Sequence, residues 1–430
     1  MKKIAIIGFG FCGRLSLFHL ADRLSEGDKL YIFDKNPLTD LGAAFSQFSP
    51  HYILNVPVAK MSAFSYDPDN FKNFLEKFFP EVFAKLGSDG FAPRHLYGNY
   101  LQEITVAALH KISRKKIDFQ FVEDEVVEVK KGKNFLIVTS NRETCEVDQL
   151  LLGSSFSQSN LPYDFEQKNF VKKLWGREAL PFHEKKFSDE TICLIGSGLT
   201  AVDVLVGLKN KGFSGKVIVI SRRGNFPKRH FDATDPSSLL RSSEDLLRLV
   251  EELKLMDDAG VLAICLKIRK FLRENPQFDL RHVIDSIRPI TTKLWQNFDD
   301  KNKKLFLRFW TYWNIFRHRA PGLSLDLIAQ MNVEVRKKGI KNIMKIGDRF
   351  LVDETPCDFV VNCLGFDMKA QNYPLLNQMI GENLLKAEIL LVSTNDKNLH
   401  LLGGLNIARD FECTAVPDLR ISVEETVKMI

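Results

Sequence analysis

The stretch that decides the fold is KKIAIIGFGFCGRLSLFHLADRLSEGDKLYIFDK, residues 2–35. Its short apolar run at residues 4–7 is rich in β-branched side chains and predicts a buried strand. Residues 14–24 carry apolar side chains at helical spacing, and residues 29–33 predict a second strand that ends at Asp34. The order strand, turn, helix, strand indicates the first unit of an α/β fold with a parallel sheet.

Three glycines occupy the turn between this strand and helix at the spacing G-x-G-x-x-G. Gly8 would make the tight turn, Gly10 would let backbone N–H groups approach a pyrophosphate, and Gly13 would let the helix pack closely on the strand. Asp34 is placed to accept hydrogen bonds from a ribose 2′-hydroxyl. A signal peptide would also begin with basic and apolar residues, but the glycines interrupt this run and no small-residue cleavage site follows. We therefore predict a dinucleotide site.

The same pattern returns near residue 190. Residues 191–195 predict a strand, and a G-x-G-x-x-A turn follows it before a helix. By analogy with the first turn, we expect this second turn to contact a nucleotide through four residues, which are Gly196, Gly198, Leu199 and Thr200. The chain therefore contains two Rossmann-like units, and its sequence shows no other internal repeat.

The two units differ where their second strands end. The strand of the later unit ends in Ser221, Arg222 and Arg223, with no acid, and we place all three in its nucleotide site. A carboxylate there would repel a 2′-phosphate, whereas guanidiniums would bind it through charge-assisted hydrogen bonds of about 1.5–3 kcal/mol each. NADPH should therefore bind there roughly ten- to a hundredfold more tightly than NADH, and a flavin nucleotide should bind at the first unit. The alternative is that the two arginines are solvated turn residues.

Length and composition are those of an ordinary globular protein. The 430 residues suffice for two or three domains, and no apolar run reaches the length of a membrane span. Seven scattered cysteines without a C-x-x-C pair are typical of a reduced, cytoplasmic protein and argue against a metal site or a redox-active dithiol. The net charge of +6 suits a protein that holds two anionic dinucleotides and is too small to argue for nucleic acid.

Residues 301–319 combine basic and aromatic side chains. The aromatic residues fall on one face of a helix, a pattern that a stacking platform for single-stranded nucleic acid would share. A core helix with a solvated basic face is the commoner explanation and is our prediction. His318, between Arg317 and Arg319, either binds an anionic ligand or caps the C-terminus of this helix.

Several segments that are more specific than the glycine turns carry a family resemblance. They are GFGFCG (8–13), GAAFS (42–46), LNVPVAKMSAF (54–64), FAPRHLYGNYL (91–101), GSGLTAVD (196–203), SRRGNFP (221–227), RHRAP (317–321) and ECTAVPDLR (412–420). Together they resemble bacterial FAD/NAD(P)-binding flavoproteins that are distantly related to flavin-dependent N-hydroxylating monooxygenases. The chain departs from this pattern at Leu152-Gly153-Ser154-Ser155, where an Ala-Thr-Gly turn is usual, and at Asp34, where glutamate is common.

The resemblance implies FAD at the first unit and NADPH at the second. It places Asn55, Met61 and Ser62 near the isoalloxazine ring, as candidate flavin-side residues, and it implies that a terminal helix from Thr414 closes over the flavin. The expected FAD-binding residues are Gly8, Gly10, Cys12, Gly13, Asp34, Lys35, Ala44, Asn55, Met61, Ser62, Arg94, Val127, Gly153, Gly365, Thr414 and Ala415. Of these, Arg94 could meet either a phosphate or an acidic neighbour.

The expected architecture is of the α/β class, with two Rossmann-like dinucleotide-binding domains of the three-layer ββα type. The FAD-binding domain is discontinuous, residues 1–165 and 352–430, and the NADP-binding domain spans residues 166–351. Residues 236–314 are expected to be a helical insertion in the second domain, because they have helical apolar spacing and almost no strand signal.

These features indicate an enzyme in which NADPH reduces FAD and the reduced flavin acts on oxygen. The leading hypothesis is a monooxygenase that acts on a small amine or amino acid, because the resemblance points that way. Two alternatives remain open, a flavin reductase or oxidase with another acceptor and a non-catalytic FAD-binding redox sensor. No catalytic side chain is predicted, since the flavin carries the chemistry. The expected partner is a small molecule bound against the helical insertion, and neither nucleic acid nor a membrane is expected.

Overall fold

The computed structural model describes residues 1–45, 51–153, 158–231, 243–256 and 259–430, and it leaves out the side chain of Arg177. The strands are β1 (Lys3–Ile7), β2 (Lys29–Phe33), β3 (Asp118–Val122), β4 (Val126–Lys131), β5 (Phe135–Thr139), β6 (Thr144–Val147), β7 (Gln149–Leu152), β8 (Phe170–Val171), β9 (Thr191–Ile195), β10 (Lys216–Ser221), β11 (Val333–Lys337), β12 (Ile343–Ile346), β13 (Arg349–Val352), β14 (Thr355–Cys357), β15 (Phe359–Asn362), β16 (Lys386–Ala387), β17 (Val392–Ser393) and β18 (Leu399–Leu401). The helices are α1 (Phe11–Arg23), α2 (Asn70–Phe78), α3 (Pro80–Leu86), α4 (Arg94–Arg114), α5 (Leu180–Glu184), α6 (Leu199–Asn210), α7 (Glu244–Lys254), α8 (Val261–Glu274), α9 (Leu280–Asn297), α10 (Asp300–Arg317), α11 (Gly322–Ala329), α12 (Pro374–Gly381), α13 (Ile407–Asp410) and α14 (Val416–Lys428). Within the described ranges, no helix combines the length and the apolarity of a membrane span.

The chain forms two compact units. The first consists of Met1–Gln47, Val56–Ser157 and Met368–Ile430, and the second consists of Phe48–Asn55 and Gln158–Asp367. Each unit contains one five-stranded sheet in which all neighbouring strands run parallel. Each unit is thus built on the parallel sheet that its glycine pattern predicts.

The first unit has its parallel sheet in the order β18-β7-β1-β2-β3. The central strand β1 is apolar on both faces, and four of its five residues are buried, as expected for a parallel strand covered on both sides. Helix α1 packs against α4 and α14, while β4, β5 and β6 form a small antiparallel sheet. The unit therefore combines helices, a parallel sheet and an antiparallel sheet.

The second unit has its parallel sheet in the order β11-β10-β9-β15-β8. Successive side chains along its strands point to opposite faces of the sheet, and both faces are covered. Ile192 and Leu194 of β9 lie in one apolar cluster with residues of α6. Cys193 and Ile195, which point the other way, lie in a second cluster with Phe350 of β13. Helices therefore cover one face and the antiparallel strands β12 to β14 cover the other, which confirms the predicted three-layer architecture.

The boundaries of the units differ from those expected. The FAD-binding domain was expected to resume at residue 352. Strand β15 pairs in parallel with β9, however, so residues 352–367 belong to the second unit. At the other boundary, Leu161 packs against the core of the second unit, which begins at Gln158 and not at residue 166. Strand pairing and core packing between remote segments decide both boundaries.

A short segment from the N-terminal part of the chain also lies in the second unit. Residues 51–55 are anchored there by Tyr52, whose hydroxyl donates to Nδ1 of His183 over 2.9 Å. The Tyr52 ring packs against Gly207 of α6, where an added Cβ would lie 3.2 Å from the ring. Asn55, at the end of this segment, therefore belongs to the second unit.

Helices α7 to α10 form the helical insertion that the sequence predicts. Of the expected span 236–314, residues 236–242 and 257–258 lie outside the described ranges. The helices share one apolar core, in which Leu246 and Leu253 of α7 are fully buried. The amphipathic spacing noted in the sequence is therefore used for packing within the insertion.

Helix α10 carries the aromatic face noted in the sequence. Trp313 packs against the core of the insertion, and the ring of Phe306 packs against Trp295. Phe309 and Tyr312, in contrast, are 41% and 46% exposed. Helix α10 therefore packs on the insertion through part of its aromatic face, but Ile315 is the one buried residue among those that the structure describes in this helix, so the prediction of a core helix is met only in part.

Candidate functional site

The first glycine turn joins the end of β1 to the start of α1. Gly8 has a φ of +87°, in the left-handed region that glycine tolerates, and its N–H donates to the Phe33 carbonyl oxygen over 2.8 Å. A Cβ on Gly13 would collide with the Gly8 carbonyl oxygen. Both glycines are thus needed for α1 to begin close to the strand, with its first N–H groups available to an anion.

A second loop approaches this turn backbone to backbone. A Cβ on Gly10 would lie 3.4 Å from the Cα of Gly42, which itself has a φ of +82°. The Gly42 N–H donates to Oδ1 of Asp40 over 2.8 Å and tightens the loop. Arg94, the first residue of α4, donates from Nη1 to the carbonyl oxygen of Ala44 over 3.3 Å. The structure thus brings the predicted residues Gly10, Ala44 and Arg94 to the same end of the parallel sheet.

Asp34 follows β2, and two backbone N–H groups hold its carboxylate. Phe9 donates to Oδ2 over 2.8 Å, and Asn36 donates to Oδ1 over 2.9 Å. Each oxygen keeps a further lone pair for a ligand hydroxyl. The neighbouring Lys35 is exposed and pairs with Glu125 at 2.7 Å. Asp34 is therefore oriented to accept hydrogen bonds, whereas Lys35 already has a partner within the protein.

Arg14 is a buried cation that sequence reasoning missed. Its Nη1 donates to Oγ1 of Thr105 over 2.9 Å, and its Nη2 donates to the carbonyl oxygens of Pro37 and Asp40 over 2.7 and 3.0 Å. The guanidinium carbon lies 4.5 Å from the centroid of the Phe9 ring. Burial lowers the pKa of Arg14 to about 10. Arg14 therefore ties the glycine turn to the loop at residues 37–40, a role that its helical position alone does not reveal.

The ends of β7 and β18 meet the first turn. Gly153 donates its N–H to the Ile7 carbonyl oxygen over 2.8 Å, and a Cβ there would lie 3.4 Å from the same oxygen. Gly403 has a φ of +59°, and a Cβ there would lie 2.8 Å from Sγ of Cys12. Gly403 was not among the predicted site residues. The feature of the sequence that could have indicated it is the pair Gly403-Gly404 directly after a predicted strand. The sequence departure at residues 154–155 lies outside the described residues.

Met61 and Ser62 are buried, and the Ser62 hydroxyl is engaged within the protein. It donates to the Asp67 carbonyl oxygen over 2.6 Å and accepts from the Phe64 N–H over 3.1 Å. The Ser62 carbonyl oxygen accepts a hydrogen bond from Nη1 of Arg420 over 2.8 Å. Because the hydroxyl has one proton and already uses it, Ser62 shapes this loop and does not donate to a ligand in this arrangement.

The remaining predicted FAD residues are more scattered. Asn55 and Gly365 lie in the second unit, which corrects the expectation that both belong to the FAD-binding domain. Val127 lies on β4, in the small antiparallel sheet, and is 43% exposed. Thr414 and Ala415 precede α14, and no side chain caps this helix start. Pro417 in its first turn has no N–H, and the N–H of Asp418 donates to the Ala415 carbonyl oxygen over 2.9 Å, so these two residues offer no N–H to the anionic flavin edge expected there.

The second glycine turn repeats the geometry of the first. Gly196 has a φ of +111°, and a Cβ there would lie 2.5 Å from the Cys363 carbonyl oxygen. Gly198 is the N-cap residue of α6, and Leu199 and Thr200 form its first turn. The four residues predicted for this turn thus surround the start of a helix, where backbone N–H groups can bind a phosphate.

Ser221 is tied into the loop that follows β10. Ser197 donates its hydroxyl proton to the Asn225 carbonyl oxygen over 2.7 Å, so Ser221 must be the donor in the 2.9 Å contact between the two hydroxyls. The Ser221 Oγ also accepts from the Gly224 N–H over 2.9 Å. Ser221 therefore fastens this loop to the glycine turn, and its proton is not available to a nucleotide.

The two arginines after β10 have different surroundings. Arg222 is exposed, and within the described residues it has no hydrogen-bond or ion-pair partner. Arg223 donates from Nη2 to the Arg308 carbonyl oxygen over 2.9 Å, and its guanidinium carbon lies 4.1 Å from the centroid of the Tyr312 ring. The sequence alone gives no reason to distinguish the two arginines. Within the part of the chain that the structure describes, Arg223 contacts α10 and Arg222 does not.

His318 ends helix α10. It is the C-cap residue, and its N–H donates to the Asn314 carbonyl oxygen over 2.9 Å. The adjacent Arg319 is buried and forms an ion pair with Asp285. His318 thus lies at the end of the helix, and both alternatives for the role of its side chain stay predictions.

Part of the first unit is similar to a known protein family. Residues 5–156 match a family model described as FAD-NAD(P)-binding. The matched segment covers less than half of the chain, and it is similar to that family. It contains the glycine turn, Asp34 and Gly153, which the preceding geometry brings together. No curated protein sequence matches the chain.

Solved structures share the fold at low sequence identity. The ornithine N-hydroxylase of Kutzneria sp. 744 has a TM-score of 0.56 and 14% identity, with 100% of this chain and 98% of that chain covered. The cadaverine monooxygenase of Erwinia amylovora has a TM-score of 0.56 and 13% identity, with 100% and 94% covered. The thioredoxin reductase of Lactococcus lactis has a TM-score of 0.52 and 10% identity, with 100% and 99% covered. The chain therefore has the fold of two-domain flavoproteins and is similar to N-hydroxylating monooxygenases only distantly.

Proposed function

We propose that the chain is an FAD-dependent oxidoreductase that uses NADPH. The observation that carries the proposal is the opposite charge beside the two glycine turns, the held carboxylate of Asp34 at the first and the exposed Arg222 at the second. A carboxylate binds ribose hydroxyls and repels a 2′-phosphate, whereas a guanidinium attracts that phosphate. Bound FAD would supply hydride acceptance from NADPH and reactivity towards oxygen.

In the first unit, the backbone would bind the flavin nucleotide. The first N–H groups of α1 would bind its pyrophosphate, because Gly10 and Gly42 leave no side chain between the backbone and the ligand. Asp34 would bind the ribose of the adenosine half. The helix start after Ala415 would offer partial positive charge to an anionic edge of the flavin.

In the second unit, the start of α6 would bind the pyrophosphate of NADPH. Leu199 and Thr200 form its first turn, where N–H groups have no partner within the helix. Arg222 and Arg223 would bind the 2′-phosphate, which NADH lacks. The selectivity for NADPH would therefore depend on these two guanidiniums.

We further propose that the enzyme is a monooxygenase acting on a small amine or amino acid, with the helical insertion lining the substrate site. Support comes from the fold shared with an ornithine N-hydroxylase and a cadaverine monooxygenase. A second candidate, a reductase with another acceptor, is favoured by the likeness to a thioredoxin reductase. The sequence has no C-x-x-C pair, which argues against a disulfide relay of that kind.

The test is an anaerobic titration of the FAD-loaded protein with NADPH and, in parallel, with NADH, followed by admission of oxygen. The flavin absorbance should bleach at roughly tenfold lower NADPH than NADH concentration, because of the 2′-phosphate contacts. Oxygen uptake should then be coupled to hydroxylation of an amine in a panel that includes ornithine, lysine and cadaverine.

Each other outcome has a distinct meaning. Oxygen uptake that no amine couples to hydroxylation would replace the monooxygenase by an oxidase or reductase. Slow flavin reduction despite tight FAD binding would favour a non-catalytic redox sensor. A protein that cannot be loaded with FAD would contradict the proposal as a whole.

A further inference from the structure

Arg223 connects the loop after β10 to the helical insertion, although 85 residues separate it from its partner Arg308. Its Nη2 donates to the Arg308 carbonyl oxygen over 2.9 Å. Its guanidinium carbon lies 4.1 Å from the centroid of the Tyr312 ring, one turn further along α10. A hydrogen bond and a cation–π contact therefore hold one side chain of the predicted nucleotide site against α10.

The backbone beside Arg223 is fixed independently of this contact. Gly224 has a φ of +65°, and its N–H donates to Ser221 Oγ over 2.9 Å, which closes a tight turn. With the backbone fixed, the place of the guanidinium depends on the rotatable bonds of its own side chain, which an arginine in solvent samples freely. The ring of Tyr312 and the carbonyl oxygen of Arg308 supply the restraint.

Positive charge collects around this turn. Arg222 and Arg308 are exposed, and a Cβ on Gly224 would lie 3.0 Å from the Cβ of Lys337. Arg223 gives one of its five N–H groups to α10, so the others remain for an acceptor. A cluster of cations with one guanidinium held in place suits a phosphate monoester such as the 2′-phosphate of NADPH.

We propose that Tyr312 is a positioning residue for NADPH selectivity, because it holds the Arg223 guanidinium where it binds the 2′-phosphate. The proposal rests on NADPH binding at the second unit. Helix α10 of the insertion thus forms part of the nucleotide site in addition to packing within the insertion. Selectivity for NADPH over NADH thus depends on two arginines. Arg222 acts from the loop after β10 without a hydrogen bond or ion pair to α10 among the described residues, and Arg223 acts from the position that its contact with α10 fixes.

The test compares the dissociation constants of NADP⁺ and NAD⁺ for the FAD-loaded full chain and its variants by isothermal titration calorimetry. Tyr312→Ala is expected to weaken NADP⁺ binding about two- to fivefold, the equivalent of an exposed cation–π contact, and to leave NAD⁺ binding unchanged. Tyr312→Phe keeps the ring and should bind both nucleotides as the unaltered chain does. Phe309→Ala removes an exposed ring from the same helix and is the matched control, with neither affinity changed.

A double variant separates positioning from a direct contact with the nucleotide. In the Arg223→Ala background, Tyr312→Ala should cause no further loss of NADP⁺ affinity, because its effect acts through Arg223. Tyr312→Leu, which keeps apolar bulk without a π face, should repeat the selective loss and replaces Tyr312→Ala if that variant does not fold.

Three results would overturn the positioning role of Tyr312. In the first, Tyr312→Ala and Tyr312→Leu leave the NADP⁺ affinity unchanged. In the second, they lower the affinities for NADP⁺ and NAD⁺ equally. In the third, Tyr312→Ala causes the same loss of NADP⁺ affinity in the Arg223→Ala background as in the unaltered chain. Failure of the proposed function has another signature, since the unaltered chain would then bind NADP⁺ no more tightly than NAD⁺.

Discussion

The Phe9 N–H donates a hydrogen bond to the Asp34 carboxylate over 2.8 Å, although the two residues lie 25 positions apart. The bond joins the first glycine turn to the end of β2, and the N–H of Asn36 holds the second carboxylate oxygen over 2.9 Å. The carboxylate is thereby oriented before any ligand arrives, which lowers the entropy cost of binding. The glycine turn and the residue two positions after Asp34 therefore hold its carboxylate in place together.

Asp34→Asn is expected to weaken FAD binding about tenfold or more, because the amide keeps the shape but loses the charge and one acceptor oxygen. The dissociation constant of FAD, measured by quenching of flavin fluorescence, checks this. Asp28→Asn is the matched control, since Asp28 also accepts from two backbone N–H groups, those of Lys2 and Ser25, at the other end of β2. Equal FAD affinities for the two variants would contradict the role of Asp34.

Gly13→Ala is expected to lower the free energy of unfolding by about 2–3 kcal/mol and to reduce FAD binding, because the new Cβ collides with the Gly8 carbonyl oxygen. Urea denaturation and FAD titration measure the two effects. Gly132→Ala is the control, since nothing lies within 4 Å of a Cβ at that position. A Gly13→Ala variant as stable as the control would show that the turn relaxes without cost.

Arg14→Lys is expected to lower the free energy of unfolding by about 2–4 kcal/mol, because a buried ammonium cannot replace the three hydrogen bonds of the guanidinium. FAD should also dissociate faster, since the loop at residues 37–40 loses its tie to α1. Urea denaturation and the rate of flavin release check both effects. Arg23→Lys, at the exposed end of the same helix, should change neither quantity.

Arg222→Gln is expected to lower the preference for NADPH over NADH about tenfold, because a charge-assisted hydrogen bond to the 2′-phosphate is lost. The ratio of the two dissociation constants measures this directly. Arg248→Gln, which removes a 68% exposed guanidinium from the helical insertion, should leave the ratio unchanged. A similar ratio for Arg222→Gln and the unaltered chain would identify Arg222 as a solvated turn residue.

His183 is expected to make the chain less stable in acid. Its Nε2 donates to the Leu174 carbonyl oxygen over 2.8 Å, and its Nδ1 therefore accepts from the Tyr52 hydroxyl. Burial lowers the pKa of His183 below its usual value of 6.5. The unfolded chain thus binds a proton just below pH 6.5 that the folded chain does not bind. Stability should therefore fall as the pH drops from 6.5 to the lowered pKa.

The contribution of His183 can be isolated by substitution. His183→Gln should flatten the decline of Tm below about pH 6.5, because glutamine does not titrate there. His110→Gln removes an exposed histidine of α4 and should leave the decline as it is in the unaltered chain. If both variants kept the full decline, other titrating groups would be responsible for it.

Features that depend on neighbours in sequence were predictable. The left-handed φ of Gly8 and of Gly196 is a property of a single residue at the end of a strand, so the spacing of glycines reveals both turns. The amphipathic spacing of Leu246, Val250 and Leu253 in α7 depends on one helix and predicts their burial in the same way. The α/β fold class with parallel sheets follows from these units, because their strands and helices recur in a fixed order.

Features that depend on remote partners were not predictable. The sequence does not distinguish Arg14 from an exposed polar residue of α1, because its partner Thr105 lies 91 positions away. The carbonyl oxygen of Asn55 accepts a hydrogen bond from His230, 175 positions away, and residue spacing carries no trace of this contact. Predicting either contact would require knowing which helices and loops pack together.

The sequence by itself determined the two glycine turns and the carboxylate after the first, because short-range backbone geometry restricts which residues can stand there. Only the tertiary structure decided that residues 352–367 join the second unit, and that Arg223 and not Arg222 is held against the helical insertion. Strand pairing and side-chain contacts between distant segments set those outcomes, and such contacts leave no periodic pattern in the chain.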